Sequence, residues 1–283
     1  MKRIKLGLPA LLLFVLITHS SCDDEQLRPT LDLETVWEHY EQLPEALTTI
    51  SRDSSWLATY ILPTDRYGHA ILGDGIEAGG VVLYHAGQYY EFVLPQVSVF
   101  EDLAPRFIDV NQDEVPELLC IKSGLDSGAG LVIYQLENNE LLEYAYTDPI
   151  GWANSWLNPV AVSDLDRNGS LDLLWIQTPH VGGVLKSTQI RPGLLEVIDD
   201  FRGVSNHALD ERNLCLSALI EQMDSEWVLV PNQSRDSIFY FSYQNGFFTK
   251  ETSIAVTVDF GQPLYEQVTC EVWLNDNNCL SDW

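Results

Sequence analysis

Short apolar runs separated by turn residues recur along most of the chain, at a spacing of about fifty residues. Four of them serve as anchors of the repeat and occupy residues 69–72, 117–121, 172–176 and 226–230. One apolar run precedes each anchor and two more follow it. Because the runs are short and rich in Val, Ile, Leu, Tyr and Phe, they predict strands rather than helices.

Each unit of the repeat therefore contains four short strands. The runs before the anchors are 57–62, 106–110, 159–165 and 214–220, the second runs are 80–85, 130–136, 183–190 and 237–243, and the third runs are 88–94, 140–146, 194–198 and 246–250. Four antiparallel strands per unit predict an all-β fold, a β-propeller of about five blades, complete or partial. Residues 56–260 hold the repeats. A weaker fifth unit starts at residues 254–259 and continues through 267–274, so residues 261–283 supply C-terminal strands that complete a last blade.

The segment before the repeats, residues 33–51, has a different period. Leu33, Val36, Trp37, Tyr40 and Leu43 share one face of a helix that ends near Pro44. We expect a short N-terminal helix packed on the propeller, with residues 22–55 forming a tether and this helix.

Residues 1–21 have the pattern of a signal peptide. A basic start with Lys2, Arg3 and Lys5 precedes an apolar run at residues 6–17, which is too short to span a membrane comfortably. Residues 18–22 resemble a bacterial lipobox, although His19 stands where an aliphatic residue is usual, and the resemblance implies lipidation of Cys22. The alternative is an ordinary secretory signal cleaved nearby. Both predict export, to the periplasm or the cell surface.

The formal net charge of the chain is −27, from 15 Lys and Arg against 42 Asp and Glu. Nucleic-acid binding needs a cationic patch, so this charge argues against it. It equally disfavours anionic membrane surfaces and leaves the N-terminal lipid as the predicted membrane contact. Divalent cations and cationic partners are favoured.

Four cysteines follow Cys22, and an even count in an oxidising compartment permits disulfides. Cys270 and Cys279 flank a turn-rich stretch, which predicts a hairpin disulfide between them. Cys120 lies inside an apolar run, where a buried free thiol and a bridge to Cys215 are equally compatible with the sequence.

Two loops directly before the second and third anchors repeat the same set of oxygen-bearing residues. Positions 1, 3, 5 and 9 carry a carboxylate or an amide, and position 7 offers a backbone carbonyl. The ligands so predicted are Asp109, Asn111, Asp113, Val115 and Glu117 in the first loop, and Asp164, Asp166, Asn168, Ser170 and Asp172 in the second.

Oxygen ligands on alternate residues of a tight loop suit calcium, which accepts about six to eight of them at flexible geometry. Magnesium demands a stricter octahedron, and the lack of His and Cys in the loops argues against zinc and copper. The second loop is the stronger prediction, because Glu114 stands where Gly169 permits a left-handed turn. Counted back from their anchors, the first and fourth units have Ile61 and Ala218 at position 1, with His69 at position 9 of the first, so both should close without metal.

These loops and their flanks, residues 107–118 and 162–173, resemble the FG-GAP or VCBS repeat of integrin-α-like propellers and many bacterial surface proteins. The resemblance is clear in two units and faint in the others. It implies a propeller with calcium in loops of individual blades, and ligand or partner binding rather than one shared catalysis. Many such propellers have seven blades, whereas this chain has room for about five.

Catalytic patterns such as G-x-S-x-G, H-E-x-x-H and the Walker glycine loop are absent from the sequence. The histidines after the signal segment are scattered, and Trp152 and Trp156 suit packing better than a binding rim. The sequence thus predicts a calcium-binding, non-enzymatic propeller lipoprotein that presents a rigid surface to a protein or glycan. Two alternatives stay open: a polysaccharide-active enzyme or enzyme subunit with its site in the channel, marked by converging His, carboxylate and aromatic side chains, and a structural accessory of an envelope assembly.

Overall fold

The computed structural model describes residues 33–41, 43–44, 46–222 and 225–264. Their regular structure consists of one short helix, α1 (Leu33–His39), and short strands. In chain order the strands are β1 (Thr49–Ile50), β2 (Trp56–Thr64), β3 (Glu77–His85), β4 (Gln88–Val93), β5 (Ser98–Phe100), β6 (Arg106–Ile108), β7 (Glu117–Gly124), β8 (Gly128–Glu137), β9 (Glu140–Tyr146), β10 (Leu157–Ser163), β11 (Asp172–Gln177), β12 (Val184–Gln189), β13 (Gly193–Leu194), β14 (Asp199–Arg202), β15 (Ala218–Gln222), β16 (Ser225–Pro231), β17 (Ser237–Gln244) and β18 (Phe247–Ala255).

Pairing groups these strands into four antiparallel units, which confirms the predicted all-β class. The units are β1–β2–β3–β4, β6–β7–β8–β9, β10–β11–β12–β14 and β15–β16–β17–β18. Strand β5 pairs with both β3 and β7 and so joins the first two units into one ten-stranded sheet. Strand β13 lies parallel to β9, with Leu194 opposite Tyr146.

The units pack face to face, and the two-residue alternation of each central strand decides which neighbour a side chain meets. In β7, Leu118 and Cys120 pack with residues of the first unit, whereas Leu119 and Ile121 pack with residues of the third. In β11, Leu173 and Trp175 contact the second unit, whereas Leu174 and Ile176 contact the fourth. Burial on both faces explains why these anchors are continuous apolar runs rather than alternating ones.

The first strands of the units face a common space. A cavity of about 340 Å³ is lined by residues at or next to the first strand of every unit. From the first unit to the fourth, these residues include Ser51, Phe107, Ile108, Val160, Val162 and Leu219. Each unit thus turns its first strand inward, while the last strand of the fourth unit, β18, is almost wholly exposed.

Three predicted elements are wrong in detail. Residues 69–72 form no strand: they lie in the long β2–β3 connection, and the run 57–62 belongs to β2, the second strand of its unit. Ile71 and Leu72 are buried in the core all the same, and for this reason they have the composition of a strand. In the third unit the outer strand is β14, not residues 194–198, because Leu194 pairs with β9 instead.

The predicted helix is present but shorter, since α1 ends at His39. Val36 is fully buried against Leu57, Ile61 and Val82 of the first unit. Of the predicted fifth unit, Ile254 belongs to β18 and residues 256–263 form no strand, while residues 267–274 lie outside the described residues. The number of blades stays a prediction.

Cys215 is disulfide-bonded and Cys120 is a free, buried thiol, so a bridge between these two is wrong. Cys270, Cys279, Cys22 and the signal segment lie outside the described residues. Within the described part of the chain, no helix is long and apolar enough to cross a membrane.

Candidate functional site

The two predicted metal loops connect the first and second strands of the second and third units, and they repeat one another bond for bond. In the first loop, the Asp109 carboxylate accepts the N–H groups of Asp113 (3.2 Å) and Glu114 (3.2 Å). In the second, the Asp164 carboxylate accepts those of Asn168 (2.8 Å) and Gly169 (2.9 Å). Position 1 therefore gathers the backbone of positions 5 and 6 in both copies.

The remaining positions repeat in the same way. Position 5 turns the loop back on itself, because its side chain accepts the N–H of position 7: Asp113 from Val115 at 2.8 Å, and Asn168 from Ser170 at 2.9 Å. Position 3 accepts the N–H of position 5, from Asn111 at 3.0 Å in one loop and from Asp166 at 3.2 Å in the other. These side chains are thus turned inward together.

Position 6 adopts a left-handed backbone in both loops, with φ of 68° at Glu114 and 88° at Gly169. The left-handed turn that the sequence predicts at Gly169 is present, and Glu114 adopts it although it is not a glycine. Position 4, at Gln112 and Arg167, is left-handed as well, which the sequence analysis missed because neither residue is a glycine or an asparagine.

Position 9 closes each loop from its buried end. A carboxylate oxygen of Glu117 accepts the N–H of Val110 at 2.8 Å, and one of Asp172 accepts that of Leu165 at 3.2 Å. Burial, followed by the charge of Asp166, raises the pKa of Asp172 to about 6. Burial also raises the pKa of Glu117 to about 7, although the hydrogen bond from the Val110 N–H lowers it. These are sites where a cation would relieve an electrostatic cost.

The second loop brings its acidic groups closest together. Carboxylate oxygens of Asp164, Asp166 and Asp172 all lie within 4.8 Å of one another. The Tyr243 hydroxyl, from β17 of the next unit, adds a hydrogen bond to Asp172 at 3.3 Å. Three clustered carboxylates fit the hard-oxygen chemistry of calcium.

The equivalent turn of the first unit is not where the sequence placed it. Ile61 lies within β2, and the β1–β2 turn consists of residues 51–55. There Asp53 accepts the hydroxyls of Ser51 and Ser55, both at 2.6 Å, and the N–H of Ser55 at 3.1 Å. In this turn serine hydroxyls donate to the one carboxylate, where the predicted metal loops have further carboxylates instead. His69 is not part of it.

At the opposite end of the strands, connections from different units bring together a buried polar cluster. His69 comes from the β2–β3 connection, Glu101 follows β5, and Ser123 lies near the end of β7. The Nδ1 atom of His69 lies 2.5 Å from Oε1 of Glu101, and the Ser123 hydroxyl donates to Oε2 of the same carboxylate at 2.5 Å. Glu101 is fully buried, whereas 14% of the His69 side chain is exposed.

Aromatic and imidazole rings extend this cluster. The Trp156 indole N–H donates to the backbone carbonyl of Glu101 at 2.9 Å, and its ring packs on those of His180 and His207. Tyr67 meets His69 edge to face. Burial lowers the pKa of His180 to about 4 and that of His207 to about 3, so both rings are neutral at neutral pH.

Sequence reasoning missed this cluster, because its members are far apart along the chain and match no motif. The one available signal was the length of the β2–β3 connection, residues 65–76, against residues 125–127 at the same place in the second unit. Long connections in a compact β fold often carry function.

No family model and no curated protein matches the chain. Among solved structures, it is similar to the periplasmic gluconolactonase PpgL of Pseudomonas aeruginosa, with a TM-score of 0.43 and 18% sequence identity. The match covers 75% of this chain and 54% of that protein, so the chain spans about half the length of the structure it matches. A likeness of this size transfers no activity to this chain.

Proposed function

We propose that the protein is a calcium-binding β-propeller of the FG-GAP type, with the four described units as blades around the cavity that their first strands line. Residues 109–117 and 164–172 hold one calcium ion each. The observation that carries the proposal is the bond-for-bond repetition of the two loops, which turns the oxygen-bearing side chains of positions 1, 3 and 5 inward in both copies. Stacking of the sheets through both faces of β7 and β11 supports the blade arrangement.

The role proposed for calcium is structural. Each loop joins the two innermost strands of its blade, and without a cation it concentrates carboxylates against one another. An ion that binds only the folded state stabilises that state by mass action. The rigid faces so formed would present a binding surface to a protein or a glycan in the periplasm or at the cell surface, with the lipid on Cys22 as the membrane anchor.

The test is a thermal melt of the full chain with calcium and with a chelator, alongside elemental analysis of the purified protein. Calcium should raise the melting temperature and magnesium at the same concentration should raise it less. An unchanged melt together with no bound calcium would falsify the metal assignment.

A second candidate function is catalysis. Converging His, carboxylate and aromatic side chains are what an enzyme would require, and His69, Glu101, Tyr67, Trp156 and His180 converge in this way. This observation favours an enzyme over a purely structural accessory. It is independent of calcium, because the cluster and the metal loops lie at opposite ends of the strands.

A further inference from the structure

We propose that His69 and Glu101 form a proton-transfer dyad that hydrolyses carboxylic esters, with His69 as the general base and Glu101 as its positioning residue. The proposal rests on the second candidate function, catalysis, and not on the calcium sites. No sequence motif predicts this dyad. It forms because the β2–β3 connection folds over the segment that follows β5.

The hydrogen bonds fix the orientation of the imidazole. The Nδ1 atom of His69 and the Ser123 hydroxyl both point at one buried carboxylate, so Glu101 receives a donor on each oxygen. With Nδ1–H given to Glu101, the lone pair of neutral His69 resides on Nε2. The His69 side chain is 14% exposed, so the ring is not sealed from solvent.

The loop that carries His69 is held in place at two points. Ile71 and Leu72 are buried in the core between the second and third units. Asp74 pairs with Arg212 at 2.8 Å, across to the connection between the third and fourth units. The connection is therefore anchored at two points close to His69 in sequence, and the base sits on a fixed support, as proton transfer requires.

Glu101 lies where it stabilises the imidazolium that forms during the step, because its Oε1 atom is 2.5 Å from Nδ1 of the ring. In the proposed step, the oxygen of a water molecule attacks the ester carbonyl carbon while His69 Nε2 removes the proton of that water. The tetrahedral intermediate then collapses, the bond to the leaving alkoxide breaks, and the alkoxide takes the proton back from Nε2.

Other hydrolytic chemistries fit these groups less well. A glycosidase needs two carboxyl groups that reach the sugar, whereas both oxygens of Glu101 are already bonded inside the protein. Phosphoryl transfer needs cations to hold the transferred group, and Arg106, the buried guanidinium nearest in sequence to Glu101, is engaged by Asp102. Ester hydrolysis needs one group that takes and returns a proton, which the dyad supplies.

The test is hydrolysis of p-nitrophenyl acetate and p-nitrophenyl butyrate by the full chain. We expect saturable hydrolysis that falls by about 10²-fold or more in His69→Ala and His69→Gln. His39→Ala, which removes an exposed histidine of α1 outside the cluster, should keep the wild-type rate and so controls for non-specific imidazole catalysis. Two His69 variants are used so that one folded variant suffices, with folding checked by the thermal melt.

Chemical rescue separates proton transfer from a structural role. Added imidazole should restore part of the rate in His69→Ala, in the space the ring leaves, whereas Glu101→Gln should lower kcat with little change in KM and should not respond to imidazole. Wild-type hydrolysis no faster than in a folded His69 variant, or equal loss in His39→Ala, would overturn the dyad. A calcium-dependent melt in the same samples would leave the metal proposal standing, so the two can fail separately.

Discussion

The Nε2 atom of His180 lies 2.7 Å from the Nδ1 atom of His207, and the other nitrogen of His207 has a partner of its own. The Nε2 atom of His207 lies 2.7 Å from the backbone carbonyl of Glu211, which can only accept. In a neutral His207, Nε2 therefore carries the hydrogen and Nδ1 accepts one from His180. The pair is held between the Trp156 ring and this carbonyl.

This pair should make stability depend on pH. Burial lowers both histidine pKa values, to about 4 and about 3, below the value of about 6.5 in an unfolded chain. Between about pH 6.5 and pH 4 the unfolded state therefore binds more protons, and the contribution of the pair to stability decreases as pH falls. His207→Gln should destabilise the protein most at pH 7 and progressively less toward pH 4, as measured by urea unfolding across this range.

The matched control is His39→Gln, at an exposed position outside the cluster. Working with differences between variants removes the opposing contributions of buried carboxylates such as Glu77, whose pKa burial raises to about 9. A His207→Gln effect that is constant from pH 7 to pH 4 would contradict neutral burial of the pair.

The metal loops should respond to substitution unequally. Asp164 accepts two backbone N–H groups and lies in the cluster of three carboxylates, so Asp164→Ala should abolish most of the calcium-induced rise in melting temperature. At 100 times its dissociation constant, the second loop alone should contribute roughly 5–10 °C. Asp113→Ala in the first loop should remove a smaller share, measured by melts with and without calcium.

Asp53→Ala is the control for the calcium experiment, because Asp53 closes a turn of the same kind through three hydrogen bonds but has serines as its neighbours. It should lower the melting temperature equally in calcium and in chelator. If Asp164→Ala behaved like Asp53→Ala, the second loop would be an ordinary polar turn.

Position 6 of the loops offers a paired backbone test. Glu114 has a φ of 68°, so Glu114→Gly should stabilise the first loop by about 0.5–1 kcal/mol, while Gly169→Ala should destabilise the second by about as much. An added Cβ at Gly169 meets no atom within 4 Å, so the expected loss comes from the backbone conformation alone. Urea unfolding in the presence of chelator measures both; effects of the same sign would refute the shared geometry.

What the sequence predicted well is local. The oxygen-bearing loops and the strands beside them follow from residues within one hairpin, and both faces of β7 and β11 are apolar because each has a neighbouring sheet. Residues 69–72 could not be assigned from the local sequence. Ile71 and Leu72 are buried like strand residues, but β2 pairs directly with β3 and leaves them in the connection, which only the tertiary structure shows. The cluster of His69, Glu101 and His180 was beyond reach, because it depends on contacts between separate units.

The buried ion pair of Arg106 and Asp102 gives a test of how the second unit is attached. The two side chains are 3% and 0% exposed, and the guanidinium also bonds the second carboxylate oxygen at 3.2 Å. Removing one partner leaves a buried charge unpaired, so Arg106→Met should lower the free energy of unfolding by about 3–5 kcal/mol, measured by urea unfolding. The double variant Arg106→Met with Asp102→Asn should regain part of this loss, because no charge is then left unpaired. If the two substitutions were additive, the free energy of unfolding of the double variant would fall below that of Arg106→Met by the full cost of Asp102→Asn alone. This result would show that the two residues act independently and that other contacts fix the start of β6.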